Sequence, residues 1–200
     1  ISWAPSSARF SYSNRRIEMK IKPTGIEGLI QIEPDIFQDE RGFFLESYNV
    51  SRYNELGIKD NFVQDNHSRS YKSILRGLHY QINNSQAQIV YVSQGRIFDV
   101  AVDLRPLSKT FKKWFGMVLS GDKPQQLYMG PGLAHGFVVL SEVADVQYKV
   151  SRTYDPADEG GLLWCDPEIS INWPCKEPRV STRDADFPML KDIPEEKLPH

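Results

Sequence analysis

The run Arg76-Gly77-Leu78-His79-Tyr80-Gln81 combines an imidazole, a guanidinium and a phenol on six consecutive residues. A histidine titrates near neutral pH, so it can act as a base, and an arginine is a permanent cation that suits an anionic ligand. In an extended strand, alternation predicts that Arg76, Leu78 and Tyr80 lie on one face, with Gly77, His79 and Gln81 on the other. The run therefore indicates a base close to an anion-binding group.

The histidines do not form a metal-binding pattern. They are residues 67, 79, 135 and 200, and a strand-borne metal site of the jelly-roll type would need a second histidine where Gln81 stands. A neutral amide is a poor metal ligand, so we expect no metal. Taken singly, His79 and His135 are as well explained as interior histidines bonded to backbone carbonyl groups.

The rest of the chain is typical of an all-β protein. The clearest alternation is at 98–104, where Phe98, Val100 and Val102 face one side, predicted to be core, and Asp99 and Asp103 face a polar side. Further strands are predicted at 29–32, 42–48, 74–80, 89–93, 114–119, 136–140 and 146–150. Many short strands separated by Gly and Pro turns indicate a β-sandwich or barrel.

Helix is scarce in this pattern. The segment Asn49–Leu56 begins with a capping residue and stops before Gly57, which predicts one short surface helix. Proline-rich stretches at 167–178 and 188–199 are predicted to be irregular segments that wrap around the barrel. Residues 1–18 differ in composition and are interpreted as an upstream extension or an expression remnant, with a single domain over residues 19–200.

Composition narrows the choice of partners. The 24 basic and 26 acidic residues give a formal charge of only -2, so no strong overall field attracts nucleic acid or a membrane surface. No run approaches the roughly 18 apolar residues that cross a bilayer. Cys165 and Cys175 lack metal-site spacing and are interpreted as reduced thiols, which favours a cytoplasmic location.

Seven motifs in one order resemble the dTDP-4-dehydrorhamnose 3,5-epimerase family of the cupin superfamily, over about residues 19–188. They are Phe37-Gln38-Asp39-Glu40-Arg41-Gly42-Phe43-Phe44-Leu45-Glu46-Ser47, Phe62-Val63-Gln64-Asp65-Asn66-His67-Ser68, Leu75 to Gln81, Phe98 to Arg105, Ala134-His135-Gly136-Phe137, Tyr148-Lys149 and Ser181-Thr182-Arg183-Asp184. The resemblance implies a cupin-type jelly roll, a homodimer with shared active sites, and inversion of carbons 3 and 5 of a dTDP-linked 4-keto-6-deoxyhexose. This chemistry requires no redox cofactor or metal, so no cofactor is expected.

The resemblance also implies a role for particular residues. His79 matches the base, Asp184 the carboxylate that orients it, and Tyr148 the donor that returns a proton from the opposite face. The implied sugar and diphosphate contacts are Arg76, His135 and Arg183. Tyr154 matches a ring that stacks near the nucleotide base, Gln64 and Asn66 match polar contacts, and the partner subunit would supply Arg41, Phe44 and Glu46.

Gln88 is the main departure from the family pattern. The family usually has a lysine there, thought to hold the developing enolate, so Gln88 replaces a cation with an amide. A charge-assisted hydrogen bond is roughly twice as strong as a neutral one, so Lys149, Arg76 or a shifted register would have to compensate. The departure predicts a slower or narrower enzyme.

Three alternatives to the double epimerase follow from these residues. The protein could invert a single carbon of a related keto sugar, or be a sugar-nucleotide ketoisomerase of the same barrel, which the motifs around His79 and Tyr148 favour less. It could also be a non-catalytic sugar-nucleotide-binding cupin, which Gln88 favours and the retained His79, Tyr148 and Asp184 oppose.

Overall fold

A computed structural model describes residues 19–199, so the predicted extension at 1–18 and His200 lie outside the described residues. The described chain is dominated by strands, and the all-β prediction is confirmed. The strands are β1 (Lys20–Pro23), β2 (Leu29–Glu33), β3 (Ile36–Asp39), β4 (Gly42–Leu45), β5 (Gln64–Tyr71), β6 (Leu75–Gln81), β7 (Gln88–Gln94), β8 (Arg96–Asp103), β9 (Trp114–Ser120), β10 (Gln126–Met129), β11 (Leu133–Val139), β12 (Val143–Val150) and β13 (Glu159–Gly161).

Two antiparallel sheets form the body of the fold. The first sheet has the order β1-β2-β10-β7-β12-β5, and the second has the order β13-β6-β11-β8-β9, while β3 and β4 pair only with each other as a hairpin. The sheets face each other across an apolar core that includes Val90, Val146, Ile97 and Phe137. This is the sandwich that the short alternating runs predict.

The outer face of the second sheet is covered by the C-terminal segment. Val100 and Val102 on β8 pack with Leu162, Ile169 and Leu190, all buried. The C-terminal stretches thus pack against this one sheet. Burial of these apolar side chains ties the segment that carries Asp184 to the back of the sheet that carries His79.

A short helix covers part of the first sheet. Helix α1 (Val50–Glu55) is capped by Asn49, whose side-chain oxygen accepts hydrogen bonds from the backbone N–H groups of Ser51 and Arg52. Its Tyr53 packs with Ile32 and Ile89 on the outer face of that sheet. The helix predicted at Asn49–Leu56 is confirmed.

The eight strand predictions all correspond to strands, but five strands were missed: β1, β3, β5, β10 and β13. Strand β5 reads Gln64-Asp65-Asn66-His67-Ser68-Arg69-Ser70-Tyr71 and has no apolar alternation, because its inward side chains line a polar pocket. The polar face predicted for β8 is also wrong in one respect. Asp99 and Asp103 are fully buried, so both faces of this strand lie inside the protein.

Strict alternation along β6 is also wrong. His79 lies opposite His135 of β11, whereas Arg76 lies opposite Phe137. Gly136 therefore lies opposite two residues of β6, Gly77 and Leu78, which makes a β-bulge. Such a bulge shifts the parity of the strand by one residue. Arg76 and His79 consequently line the same pocket instead of facing opposite sides.

Glycine is required at this bulge. Gly77 has φ +120°, and a Cβ atom there would lie 2.6 Å from the Cα of Gly136. A side chain would therefore collide with the neighbouring backbone, whatever its chemistry. The glycine between the arginine and the histidine is what allows both side chains to reach the pocket.

Candidate active site

A pocket of about 320 Å³ lies between the two sheets. Nine of the thirteen predicted site residues line it, and all of these carry polar or ionisable groups. They are Gln64, Asn66, Arg76, His79, Gln88, His135, Tyr148, Tyr154 and Arg183.

Asp184 lies directly behind His79. Its Oδ1 is 3.0 Å from His79 Nε2, and its Oδ2 accepts a hydrogen bond of 3.1 Å from the backbone N–H of Gly77. Helix α2 (Thr182–Ala185) positions the carboxylate, and Ser181 caps this helix by accepting a hydrogen bond from the backbone N–H of Asp184. The predicted pairing of His79 with Asp184 is thus present in the structure.

The charge of Asp184 is strongly stabilised. Burial by itself raises the pKa of this carboxyl, but hydrogen bonds from His79 and from the backbone of Gly77 outweigh burial and hold the pKa well below its usual range. Asp184 is therefore an anion at any physiological pH. A fixed anion at Nε2 favours the tautomer with its proton on that nitrogen.

Arg183 lies against the same pair of side chains. Its Nη2 is 3.0 Å from His79 Nε2, its Nε donates to Asp184 Oδ1 at 3.2 Å, and its Nη1 donates to Glu159 Oε2 at 2.9 Å. A ring nitrogen that donates its proton to Asp184 has no lone pair for a guanidinium. With Nε2 protonated, Nδ1 is the nitrogen of His79 that keeps a lone pair for a substrate proton.

A second histidine–aspartate pair connects the adjacent strands β11 and β8. His135 Nε2 is 2.8 Å from Oδ1 of Asp99, which stands on β8 and has no exposed surface. The other oxygen, Oδ2, has no hydrogen-bond partner among the described residues. Asp99 was not predicted as a site residue, because the β8 pattern gives no sign of which side chain its inward carboxylate meets.

Tyr148 faces His79 from the other sheet. It stands on β12 between Asn66 of β5 and Val90 of β7. Burial raises the pKa of its phenol, the positive charge of Arg76 acts in the opposite direction, and the net shift is upward. The phenol therefore carries its proton at neutral pH, as a proton donor must.

Arg76 is held at the pocket wall through the first sheet. Its Nε donates a hydrogen bond of 2.9 Å to Oγ of Ser70, a buried residue of β5. The contact crosses from the second sheet to the first and leaves the remaining guanidinium donors for other acceptors. A planar cation in this setting suits phosphate oxygens.

The polar side chains around Tyr154 form a connected set. Gln64 donates to Asn66 Oδ1 at 2.9 Å and accepts from the backbone N–H of Tyr154 at 3.2 Å. The hydroxyl of Tyr154 donates to Glu159 Oε2 at 3.2 Å, and 48% of Tyr154 is exposed. Glu159 lines the pocket but was not predicted, since it belongs to the three-residue strand β13, which has no sequence pattern of its own.

Lys149 does not compensate for the missing cation at Gln88. Its Nζ donates to Asp65 Oδ1 at 2.7 Å and lies 5.0 Å from the centre of the Tyr48 ring. Lys149 follows Tyr148 on β12, so alternation turns it to the outer face of the sheet. Of the two side chains considered as substitutes, Arg76 alone lines the pocket.

Three predicted residues lie outside the pocket of their own chain. Arg41 and Phe44 belong to the β3–β4 hairpin, where Arg41 donates to Asp39 and 40% of Phe44 is exposed. Glu46 follows the hairpin and accepts a 2.6 Å hydrogen bond from Arg52 Nη1. Within one chain, the structure does not bring these three side chains to His79.

Residues 19–199 hold neither a metal-type cluster of side chains nor a membrane-spanning helix. Within this range, no three His, Cys, Asp or Glu side chains are grouped as a metal site would require. No helix in the same range is long and apolar enough to cross a membrane. Cys165 is exposed, Cys175 is partly buried, and both are free thiols.

Comparison with known proteins places this geometry in a family. The model of the dTDP-4-dehydrorhamnose 3,5-epimerase family matches residues 23–192. An enzyme of that name from Salmonella typhimurium is 48% identical over 175 residues, which cover 86% of this chain and 96% of the relative. A dTDP-4-dehydrorhamnose 3-epimerase from Streptomyces niveus is 39% identical over 176 residues, covering 87% of this chain and 85% of that relative.

A solved structure supports the same assignment. The crystal structure of dTDP-6-deoxy-D-glucose-3,5-epimerase from Legionella pneumophila, in complex with dTDP-4-keto-L-rhamnose, superposes with a TM-score of 0.88. It is 48% identical, and the alignment covers 91% of this chain and 98% of that one. Both the sheet architecture and the sequence are therefore shared over nearly the whole relative.

Proposed function

We propose the reaction of this protein on the premise that the chain belongs to the dTDP-4-dehydrorhamnose 3,5-epimerase family. The protein inverts carbons 3 and 5 of dTDP-4-keto-6-deoxy-D-glucose and yields dTDP-4-keto-L-rhamnose. One observation carries the proposal. The oriented base His79 and the protonated phenol Tyr148 stand on opposite sheets and line the same pocket.

The chemistry follows from the acidity of a proton next to a ketone. The lone pair of His79 takes the proton from the carbon beside the keto group, the C–H electrons delocalise onto the keto oxygen, and an enolate forms. Tyr148 then donates its proton to the same carbon from the opposite face. Removal on one side and delivery on the other inverts the centre, and no electrons are gained or lost overall.

Asp184 supports the proton abstraction without taking the proton itself. When His79 becomes an imidazolium, the new positive charge lies 3.0 Å from a carboxylate that is already ionised. The same carboxylate keeps the ring in one tautomer before the reaction. This is the logic of histidine–aspartate pairs in general.

The binding roles extend the proposal to the nucleotide. Arg76, Arg183 and His135 contact the sugar and the diphosphate, where bidentate arginine donors match phosphate oxygens. The half-exposed ring of Tyr154 stacks near the base, and Gln64 and Asn66 make polar contacts to it. A dTDP-linked sugar is the ligand class that this set of side chains suits.

The working unit in this proposal is a homodimer, and its location is the cytoplasm. Arg41, Phe44 and Glu46 would enter the pocket of the partner subunit, which explains why an exposed hairpin carries Phe43 and Phe44 at its surface. Subunit mixing tests this arrangement. A His79→Asn variant mixed with an Arg41→Ala variant would regain activity if each site takes residues from two chains, and would stay inactive otherwise.

The experiment that tests the reaction is deuterium incorporation. The protein is incubated with dTDP-4-keto-6-deoxyglucose in deuterated water, and the label is located by NMR. Deuterium is expected at carbons 3 and 5, and it is expected to disappear in a His79→Asn variant that still binds dTDP. Binding without exchange in the parent protein would instead identify a non-catalytic sugar-nucleotide-binding module.

A single-carbon epimerase is the second candidate. Gln88 favours it because the pocket has an amide where an ammonium would stabilise the enolate more strongly, and the relative from Streptomyces niveus is named a 3-epimerase. The same labelling experiment separates the candidates. Label at carbon 3 alone would support the narrower enzyme, and label at both carbons at equal rates would overturn it.

A further inference from the structure

Gln88 differs from the other glutamines that line the pocket. Gln64 bonds to Asn66, Gln81 bonds twice to the backbone of Asp155, and Gln86 donates to the carbonyl oxygen of Arg152. Each of those amides is committed to the protein. Gln88, by contrast, makes no side-chain hydrogen bond to the described residues, and its Oε1 is buried without a partner.

An unpaired buried acceptor costs free energy, so its presence calls for an explanation. Exchanging the oxygen and nitrogen of the amide does not remove this cost, because the buried position of Oε1 would then hold the NH₂ group as an unpaired donor. No protein contact is lost when this carboxamide turns about its soft terminal torsion. Turning the carboxamide exchanges one unpaired buried group for another, so Gln88 can present its oxygen to a ligand without losing a protein hydrogen bond.

The position of Gln88 in the sheet places it beside Tyr148. It lies opposite Val150 of β12, and Tyr148 is the next inward residue on the same strand. Diagonal neighbours of this kind are roughly 7–8 Å apart at Cα, within reach of long side chains. The amide thus stands next to the phenol that faces His79, across the pocket from the base.

We infer that Gln88 binds the 2-hydroxyl of the hexose and makes the enzyme selective for 2-hydroxy over 2-deoxy sugar nucleotides. The inference rests on the proposed function and deepens it. An amide oxygen needs a donor, and a 4-keto-6-deoxyhexose linked at carbon 1 has hydroxyl groups on carbons 2 and 3 only. The hydroxyl on carbon 3 changes face during inversion, whereas carbon 2 is untouched, so its hydroxyl can stay bonded throughout.

The test compares two substrates and three proteins. Rates of deuterium incorporation are measured with dTDP-4-keto-6-deoxyglucose and with its 2-deoxy counterpart, for the parent, Gln88→Met and Gln86→Met. Methionine keeps the length of glutamine without its hydrogen-bonding groups. Gln86→Met is the matched control, because it makes the same replacement two residues away at an amide that bonds to Arg152.

The parent and the control are expected to prefer the 2-hydroxy substrate by about 10- to 100-fold, the range for one hydrogen bond to an otherwise unpaired buried group. In Gln88→Met the preference is expected to fall to within about threefold, mainly through slower reaction of the 2-hydroxy substrate. An unchanged preference in Gln88→Met would overturn the inference. So would an equal loss of affinity for dTDP alone, since the donor would then belong to the nucleotide.

Binding measurements keep this test separate from the reaction. If the parent protein shows no exchange with either substrate, the proposed function fails, but the ratio of the two dissociation constants by calorimetry still tests Gln88. Gln88→Glu serves as a second variant, because a carboxylate keeps the acceptor and loses the donor. It is expected to retain a preference for the 2-hydroxy ligand that Gln88→Met lacks, and a Gln88→Glu protein without that preference would contradict the inference.

Discussion

Two histidine–aspartate pairs stand side by side in this pocket, and they differ in how their carboxylates are satisfied. His79 and His135 are directly opposite each other on β6 and β11, and each ring nitrogen is within 3.0 Å of an aspartate oxygen. Asp184 accepts hydrogen bonds at both oxygens, whereas Asp99 has one oxygen without a partner among the described residues.

The difference shows that distance alone does not identify a base. The carboxylate behind His79 belongs to the capped helix α2. Besides its contact with the imidazole, it accepts hydrogen bonds from a backbone N–H group and from a guanidinium. The carboxylate behind His135 comes from β8 and, among the described residues, bonds only to the imidazole. The first arrangement suits an imidazole that gains and loses a proton, and the second suits an imidazole that is held in place as a binding group.

The strongest challenge to this comparison is to remove each imidazole in turn. His79→Asn is expected to lower the rate of deuterium incorporation about 10³-fold or more, since the base is lost. His135→Asn is expected to cost roughly tenfold, mainly in KM, because a binding contact is lost. Both rates are measured by NMR in deuterated water, and an equal or larger loss in His135→Asn would reverse the assignment of the base.

Exchanging each carboxylate for an amide sharpens the comparison. Asp184→Asn is expected to slow exchange on the order of 10²-fold, because the imidazolium loses its counter-charge and the tautomer is no longer fixed. Asp99→Asn is expected to cost less than tenfold, and circular dichroism checks that both variants fold. Equal losses in kcat would mean that the two carboxylates have the same role.

Tyr148→Phe separates proton removal from proton delivery. The formation of inverted product is expected to fall about 10²-fold, because the opposite face has no donor. Deuterium incorporation with retained configuration is expected to persist, since His79 can return a proton on its own side. Loss of both signals to the same degree would show that Tyr148 is needed for abstraction as well.

Arg183 touches only one of the two pairs, and its replacement is a smaller perturbation. Arg183→Gln removes the cation beside Asp184 and Glu159. KM is expected to rise about tenfold, as for one lost charge-assisted contact to a diphosphate, with kcat changed by less than threefold. A large fall in kcat with KM unchanged would instead place Arg183 in the chemical step.

The smallest expected effect is on stability at low pH. The pKa of Asp184 is lower in the folded than in the unfolded state, so its contribution is complete above the unfolded value of about 4 and is lost as pH falls toward the folded value. Urea unfolding of the parent and Asp184→Asn should differ by about 1 kcal/mol more at pH 7 than at pH 3. A difference that does not change with pH would argue against the depressed pKa.

The sequence predicted the side chains that meet at the pocket better than the strands that carry them. His79, Tyr148 and Asp184 belong to short motifs, and the structure brings all three together although His79 and Asp184 are 105 residues apart. Strand β5 was missed because its inward residues Gln64, Asn66 and Ser68 are polar, which removes the alternation that indicates a strand. The polar side chains that this strand presents to the pocket remove the pattern by which a strand is predicted from sequence.

Other parts of the site depend on events that a local pattern does not record. The bulge at Gly77 puts Arg76 and His79 on one face, against simple alternation, because two residues share one partner on β11. Strand pairing brings Glu159 to the pocket and Asp99 to His135, and it has no signature near either residue. The sequence alone indicates that Gln88 replaces the lysine usual in the family. That its buried oxygen has no partner follows only from the three-dimensional structure.

The C-terminal segment has a consequence for the order in which the enzyme becomes competent during synthesis. All the strands of the two facing sheets precede Asp184 in the chain, so a nascent protein can pair these strands, and with them all of the pocket lining except Arg183, before the carboxylate exists. The pair with His79 closes only when the segment around α2 docks on the back of β6, held by Leu162, Ile169 and Leu190. Catalytic competence thus reports that this last stretch has been made and has packed, and cutting the backbone between residues 166 and 180 would uncouple a formed pocket from a working base.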